Sequence, residues 1–214
     1  MGIDSEMKTQ NFIGMIIATK MEAEPFIEGL CMKEMGTLPF PVYMGGDAVM
    51  IISGIGKVNA GTATAYACLK FDPARILNLG AAGSVNDSEE LGRAYNIEKT
   101  IEPDRIHLRT NSPYIQYPDT MDGFEKKILA TQDKGIIDVR TFRELAPLAD
   151  LVDMEGASVL QASRRFEKKC LIFKFVTDTP EHAGQGKIIL EHIKNLRRPF
   201  GDFILNSVMP AIRD

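Results

Sequence analysis

The sequence predicts an α/β protein, a three-layer α/β/α domain built around a central mixed β-sheet. Short apolar runs such as Ile13-Gly14-Met15-Ile16-Ile17 and Leu171-Ile172-Phe173-Lys174-Phe175 alternate with longer amphipathic stretches, as in strands covered by helices. Small-residue turns, Ser53-Gly54-Ile55-Gly56-Lys57 and Asn78-Leu79-Gly80-Ala81-Ala82-Gly83-Ser84, follow apolar runs directly, where a chain must leave a strand sharply. With 214 residues, 44% hydrophobic and 25% charged, the chain suits one domain with a substantial core.

Met1–Asn11 is polar and lacks the apolar centre of a signal peptide; it is expected to be disordered ahead of a single domain over residues 12–214. The first strand is expected at Phe12–Ala18 and the first helix at Met21–Met32, with Pro25 preorganised for an early helical position. A weaker strand at Val42–Tyr43 precedes a stronger one at Ala48–Ser53, and a helix follows at Val58–Lys70. Strands are then predicted at Ile76–Leu79 and Arg93–Ile97. Thr100–Asp122 carries Pro103, Pro113 and Pro118 with little periodicity and reads as a long loop. A strand at Leu151–Asp153, a helix at Ser158–Phe166 and a strand at Leu171–Val176 follow. Two helices close the chain, Lys187–Asn195 and Gly201–Ile212; the first carries Ile188, Ile189, His192 and Ile193 at helical spacing.

The formal net charge is −4, with both signs interspersed, so no nucleic-acid surface is expected; Arg164-Arg165 and Lys168-Lys169 read as the solvated face of a helix. No apolar run approaches the roughly 20 residues that span a bilayer. Cys31, Cys68 and Cys170 stand in apolar contexts without metal-like spacing, which predicts buried free thiols in a reducing, cytoplasmic compartment. The cysteines predict no metal site.

Three acidic landmarks fall where strands give way to other structure: Glu24 in Met21-Glu22-Ala23-Glu24-Pro25, Glu155 in Val152-Asp153-Met154-Glu155-Gly156-Ala157, and Asp178 after Val176-Thr177. Ligands of open α/β sheets bind at such carboxyl ends. Glu24 has two readings, a carboxylate favoured near a helix N-terminus and a group that orients or deprotonates a water. Glu155 is flanked by the small Gly156 and Ala157, and a carboxylate can accept two hydrogen bonds side by side from vicinal hydroxyls. Asp178 ends a buried run, where desolvation raises an acid's pKa and makes it a proton donor; an N-cap or Asx-turn ahead of Pro180 is the other reading. The two glycine-rich turns are either tight turns alone or places where backbone approaches a ligand. Gly54-Ile55-Gly56-Lys57 is too short for a Walker phosphate loop, and no third glycine completes a dinucleotide fingerprint.

Taken together, Ile13–Pro25, Ser53–Ala60, Asn78–Val85, Val152–Ala157 and Phe175–Asp178 resemble the purine nucleoside phosphorylase superfamily, and within it most closely the 5′-methylthioadenosine/S-adenosylhomocysteine nucleosidases. The resemblance implies a nucleoside phosphorylase-like fold, a homodimer, and cofactor-free hydrolysis of the N-ribosidic bond of a 5′-modified purine nucleoside. It makes Asp178 the donor to the purine, Glu24 the base for water, and Glu155 the anchor of the ribose hydroxyls. Met154 would pack on the sugar, Met21 and Ile55 would line the apolar side, and backbone at Ala82 and Gly83 would flank the base. The Gly-Asp-Pro turn typical of phosphorylases is replaced by Ala18-Thr19-Lys20-Met21, which favours a phosphate-free reaction. Four departures accompany the match. Ala81 stands where a small hydroxyl residue is common, and Thr131-Gln132-Asp133-Lys134-Gly135-Ile136 lacks the purine-stacking aromatic. Gly92-Arg93-Ala94-Tyr95 replaces a Gly-Asp-Ile-Val strand, and the stretch from Asp122 to Leu151 is short. A futalosine-type hydrolase, a phosphorylase and a non-catalytic nucleoside-binding protein are the alternatives, and His107 is a candidate contact to a partner subunit.

Overall fold

The computed structural model describes residues 12–135 and 138–213; the segment 1–11 expected to be disordered, and Ile136 of the turn without an aromatic, lie outside the described residues. In chain order the elements are β1 (Ile13–Ile17), α1 (Lys20–Gly29), β2 (Lys33–Gly36), β3 (Val42–Gly45), β4 (Ala48–Ile52), α2 (Lys57–Phe71), β5 (Arg75–Ser84), β6 (Ala94–Ile106), β7 (Pro113–Gln116), β8 (Lys126–Thr131), α3 (Val139–Leu145), β9 (Leu151–Asp153), α4 (Gly156–Arg165), β10 (Lys169–Asp178), α5 (Gly186–Phe203) and α6 (Met209–Arg213).

β1 lies between β4 and β5, parallel to both. Beyond β4 the sheet continues antiparallel through β3 and β2. On the other side β5 pairs with both β10 and β9, and β10, β6, β8 and β9 continue the ladder until it returns to β5. The sheet is therefore mixed, and its second half curls into a small closed ring of five strands. Closure hides sheet edges and brings the ends of β5, β9 and β10 together.

Strands buried on both faces explain why the runs are almost wholly apolar rather than alternating. Odd-numbered residues of β10, Leu171, Phe173 and Phe175, join Met15 and Ile17 of β1 in a core under α1 and α5. The even-numbered Cys170, Ile172 and Val176 join Ile16, Val49 and Ile51 against Ala60, Ala63 and Ala67 of α2 and Val159 and Leu160 of α4. The period-2 alternation of side chains thus builds two cores on one strand set, which gives the three layers. A smaller third core gathers Phe142 and Leu145 of α3 on Ala130 and Val152.

Four expectations are corrected. The region Thr100–Asp122 is not a long loop: β6 runs on to Ile106, and β7 pairs back on it antiparallel. The two terminal helices form one rod, because α5 passes through a π-helical turn at Ile204–Val208 into α6. Burial of Phe200, Ile204, Val208, Met209 and Ile212 along one face carries the helix across the gap expected between Asn195 and Gly201, and π-turns accommodate such shifts of register. Pro25 sits in the second turn of α1 rather than at its start, since Thr19 is the N-cap. Cys68 and Cys170 are buried, but Cys31 is exposed, at a left-handed backbone position just past α1.

Candidate active site

A cavity of about 320 Å³ opens at the carboxyl ends of β1, β5, β9 and β10. Met21, Ile55, Ala82, Gly83, Met154, Glu155 and Asp178 all line it. Segments as far apart in the chain as Met21 and Asp178 meet there because parallel strands point their ends the same way.

Glu24 is not among them. It lies across α1 from the cavity, its carboxylate 2.7 Å from the Arg197 guanidinium. The acid of this segment that faces the cavity is Glu22. Thr19 caps α1 by accepting the Glu22 N–H at 3.3 Å, so the helix begins at Lys20 and Glu22 falls in its first turn. Helical side chains lean toward the N-terminus, which carries Glu22 back over the end of the sheet. At 3.6 residues per turn, Glu24 is rotated just over half a turn away. Glu22 is held at both oxygens: the Ala81 N–H donates to Oε1 at 2.9 Å, and the Thr19 hydroxyl donates to Oε2 at 2.5 Å. Ala81, whose side chain has no hydroxyl to offer, thus contributes through its backbone.

Glu155 is the N-cap residue of α4. Its Oε1 accepts the N–H of Gly56 at 2.9 Å, and Gly56 has a φ of +102°, a backbone state that glycine adopts without strain. The Ser53–Lys57 turn therefore presents an amide to the carboxylate. Burial, reinforced by the charge of Asp153, pushes the Glu155 carboxyl up to about 7, against the pull of Lys174 and the Gly56 N–H.

Asp178 closes β10 beside Gly83. A Cβ on Gly83 would stand 2.8 Å from Asp178 Oδ2, so only glycine leaves room for the acid. Burial holds the Asp178 carboxyl above the ordinary aspartate range, opposed in part by the Thr177 hydroxyl and by His182 and His192. Thr177 Oγ1 donates to Oδ1 at 2.7 Å, which leaves Oδ2 as the oxygen free to carry a proton. Glu22, Glu155 and Asp178 are each less than 10% exposed.

Beneath the three carboxylates lies a group that sequence reasoning passed over. Lys174 is fully buried in β10 and ion-paired with Asp153 at 2.9 Å. Asp153 also accepts from Thr131 Oγ1 at 2.6 Å and from the Gly156 N–H at 2.7 Å. Desolvation favours the neutral amine, but Asp153, Glu155 and Glu22 outweigh it and hold the Lys174 pKa above the ordinary lysine range. A buried cation under clustered acids lets several carboxylates share a small volume. The signal was present in the sequence, a lysine inside an apolar strand four residues before Asp178.

The remaining wall is apolar, formed by Ile189, Leu190 and Ile193 of α5 with Met21 and Ile55. Lys134 and Gly135, from the stretch noted as lacking an aromatic, also line the cavity. His107 lies past the end of β6, stacked on Tyr114, and does not line the cavity. Among the described residues, no helix is long and apolar enough to cross a membrane.

A curled mixed sheet with acids converging at its strand ends defines an α/β protein of nucleoside phosphorylase-like architecture. Residues 13–131 match the sequence profile of the phosphorylase superfamily, and the chain belongs to that superfamily. Among curated relatives, the 5′-methylthioadenosine/S-adenosylhomocysteine nucleosidase of Shewanella sediminis is 26% identical over 196 residues, covering 78% of this chain and 85% of the relative. The enzyme of that name from Bacillus cereus is 26% identical over 159 residues, covering 63% and 69%. Of solved structures, the Helicobacter pylori nucleosidase of the same name superposes with a TM-score of 0.81 at 18% identity, covering 94% of this chain and 98% of that one. The futalosine hydrolase of Helicobacter pylori superposes with a TM-score of 0.82 at 18% identity and the same coverage.

Proposed function

We propose that the protein is an N-ribosyl hydrolase that cleaves a 5′-modified purine nucleoside, with 5′-methylthioadenosine or S-adenosylhomocysteine as substrate, and releases the free base. The observation that carries this reading is the convergence of Glu22, Glu155 and Asp178, all buried, on one cavity with an apolar wall. The names of the curated relatives and superposed structures agree with it.

In this reading the base lies against the backbone of Ala82 and Gly83. Asp178 Oδ2 gives its proton to the purine N7 as the C1′–N9 bond breaks, and the electron pair of that bond leaves with the base. Glu22 replaces Glu24 as the group that accepts the proton of the attacking water, whose oxygen bonds C1′ to give the free sugar with its 5′ substituent still attached. Each Glu22 oxygen already accepts one hydrogen bond and keeps a second acceptor direction for the water. Glu155 accepts from the ribose hydroxyls and Met154 packs on the sugar, while Met21, Ile55 and the α5 wall take the 5′ substituent. A proton donor whose carboxyl burial holds above the ordinary aspartate range, set apart from the proton acceptor, is the division that acid–base catalysis needs.

We also infer a homodimer acting on sulfur-containing nucleosides in the cytoplasm. Ile55, which lines the cavity, and Val58, in the first turn of α2, are 56% and 75% exposed, and the buried free thiols Cys68 and Cys170 suit a reducing compartment.

The test is free-base release from methylthioadenosine, S-adenosylhomocysteine, adenosine, inosine and futalosine, with and without phosphate. Adenine release without phosphate is expected. Release only with phosphate would make the protein a phosphorylase, hypoxanthine from futalosine alone would move it to the futalosine hydrolases, and silence from folded protein would favour a binding role.

A further inference from the structure

We propose that His192 is a positioning residue for Asp178: one hydrogen bond ties the peptide that carries the acid to the helix that walls the cavity. The inference rests on the reading of Asp178 as the proton donor. His192 Nδ1 lies 2.8 Å from the Thr177 carbonyl oxygen. A carbonyl only accepts, so Nδ1 carries the hydrogen. That carbonyl belongs to the same peptide group as the Asp178 N–H. The hydroxyl of the same Thr177 donates to Asp178 Oδ1, so backbone and side chain of one residue aim the acid. Thr177 itself is 1% exposed.

His192 stands on α5 among Ile189, Leu190 and Ile193, the apolar wall of the cavity. The bond therefore crosses from the wall that would hold a 5′ substituent to the strand end that holds the acid. A second histidine braces it: the His182 ring meets His192 edge to face, with centroids 5.0 Å apart. His182 Nδ1 accepts the Thr179 N–H at 3.2 Å, which fixes the turn between β10 and α5. The chain has three histidines, and two of them stand beside the acid. A mere packing contact would not need a donor aimed at the one carbonyl adjoining Asp178.

The experiment compares His192→Phe, which keeps a ring but no donor, with His192→Asn, whose side-chain N–H can occupy the place of Nδ1–H. In base-release kinetics, Phe is expected to lower kcat at least tenfold with KM within threefold, and Asn to return kcat to within threefold of wild type. Wild-type kcat in the folded Phe variant, or an Asn variant as slow as Phe, would overturn the proposal. NMR supplies a readout independent of turnover. The Asp178 amide 15N and carboxyl 13C resonances should both move in Phe, and both should return toward wild type in Asn. An unmoved carboxyl resonance in Phe would overturn the positioning role whatever the activity. Wild-type protein that releases no base from any nucleoside would sink the enzymatic reading alone, and the resonances would then decide the positioning claim. If the Phe variant does not fold, His192→Leu, which also lacks a donor, takes its place under the same criteria.

Discussion

Glu22 and Glu24 are two residues apart and serve different partners, one the cavity and the other Arg197. Glu22→Gln and Asp178→Asn should each lower kcat for base release by about 100-fold or more, the scale of a lost general base or acid, with the fold retained. Glu24→Gln should stay within a few-fold of wild type, since it removes only a half-exposed ion pair. Equal losses from Glu22→Gln and Glu24→Gln in steady-state assays would refute the assignment. The motif Met21-Glu22-Ala23-Glu24 offered both acids, and the choice depended on where α1 starts. Thr19 with Glu22 three residues later is the spacing of a capping box, and that cap is the sequence signal that selects Glu22. Glu155 makes a pH prediction. Its carboxyl is raised to about 7 by burial, so it is protonated below that pH and loses an acceptor for ribose hydroxyls. The value of kcat/KM should fall as pH drops below about 7, and Glu155→Gln should be poor at every pH. Stability runs the other way. A carboxyl with a raised folded-state pKa favours the fold most below the unfolded value and loses that contribution as pH climbs to about 7. Thermal melts should therefore show Glu155→Gln more stable than wild type above pH 7, by an amount on the order of 1–3 kcal/mol, and no gain near pH 4. A variant less stable than wild type at pH 8 would contradict this.

At the scale of elements, the site depends on how closely β5 and β10 approach at their ends. Gly83→Ala tests that approach, because its Cβ would fall 2.8 Å from Asp178 Oδ2. The carboxyl must swing aside, so kcat should drop at least tenfold while the melting temperature shifts by only a few degrees, a cost of about 1–2 kcal/mol. Wild-type kcat in that variant would show that the acid has room to spare. Strands β1, β4, β5, β9 and β10 were legible because each is an apolar run ended by a small or acidic turn. β7 and the far half of β6 were not. Pro103 and Pro113 mask them, and Pro113 is tolerated because it opens a short strand paired only with β6. β2 was missed too: Lys33-Glu34-Met35-Gly36 is exposed throughout, so it carries no alternation to read. Helix α3 is seven residues long, less than the periodicity needs to declare itself. Lys174 escaped for a different reason. An apolar run with one lysine reads as a strand, and only closure of the strand ring shows that the ammonium meets Asp153.

For the whole molecule, the sequence conveyed the layers but not the ring, because the pairing that returns β9 to β5 joins short segments far apart in the chain. That closure leaves the cavity open beside the first turn of α2. Ile55, which lines the cavity, and Val58 leave more than half their surface to water in a single chain. Apolar groups placed at the mouth of a site are costly to leave wet. Small residues nearby, Gly61 and Ser158, let α2 and α4 lie close and present a shallow face. A two-fold axis through that face would set α2 of one copy against α2 of the other, and self-complementary pairing of this kind is the commonest oligomer. Light scattering on size-exclusion fractions should then report twice the chain mass of 23.7 kDa. Val58→Asp should give a single-chain mass, since two carboxylates facing each other across the axis repel and must be desolvated. Because Ile55 belongs both to the cavity and to that face, the monomeric variant should also bind substrate more weakly, with KM raised about tenfold or more. A wild-type protein that is monomeric at micromolar concentration with full activity would remove the dimer from the account and leave the cavity complete within one chain.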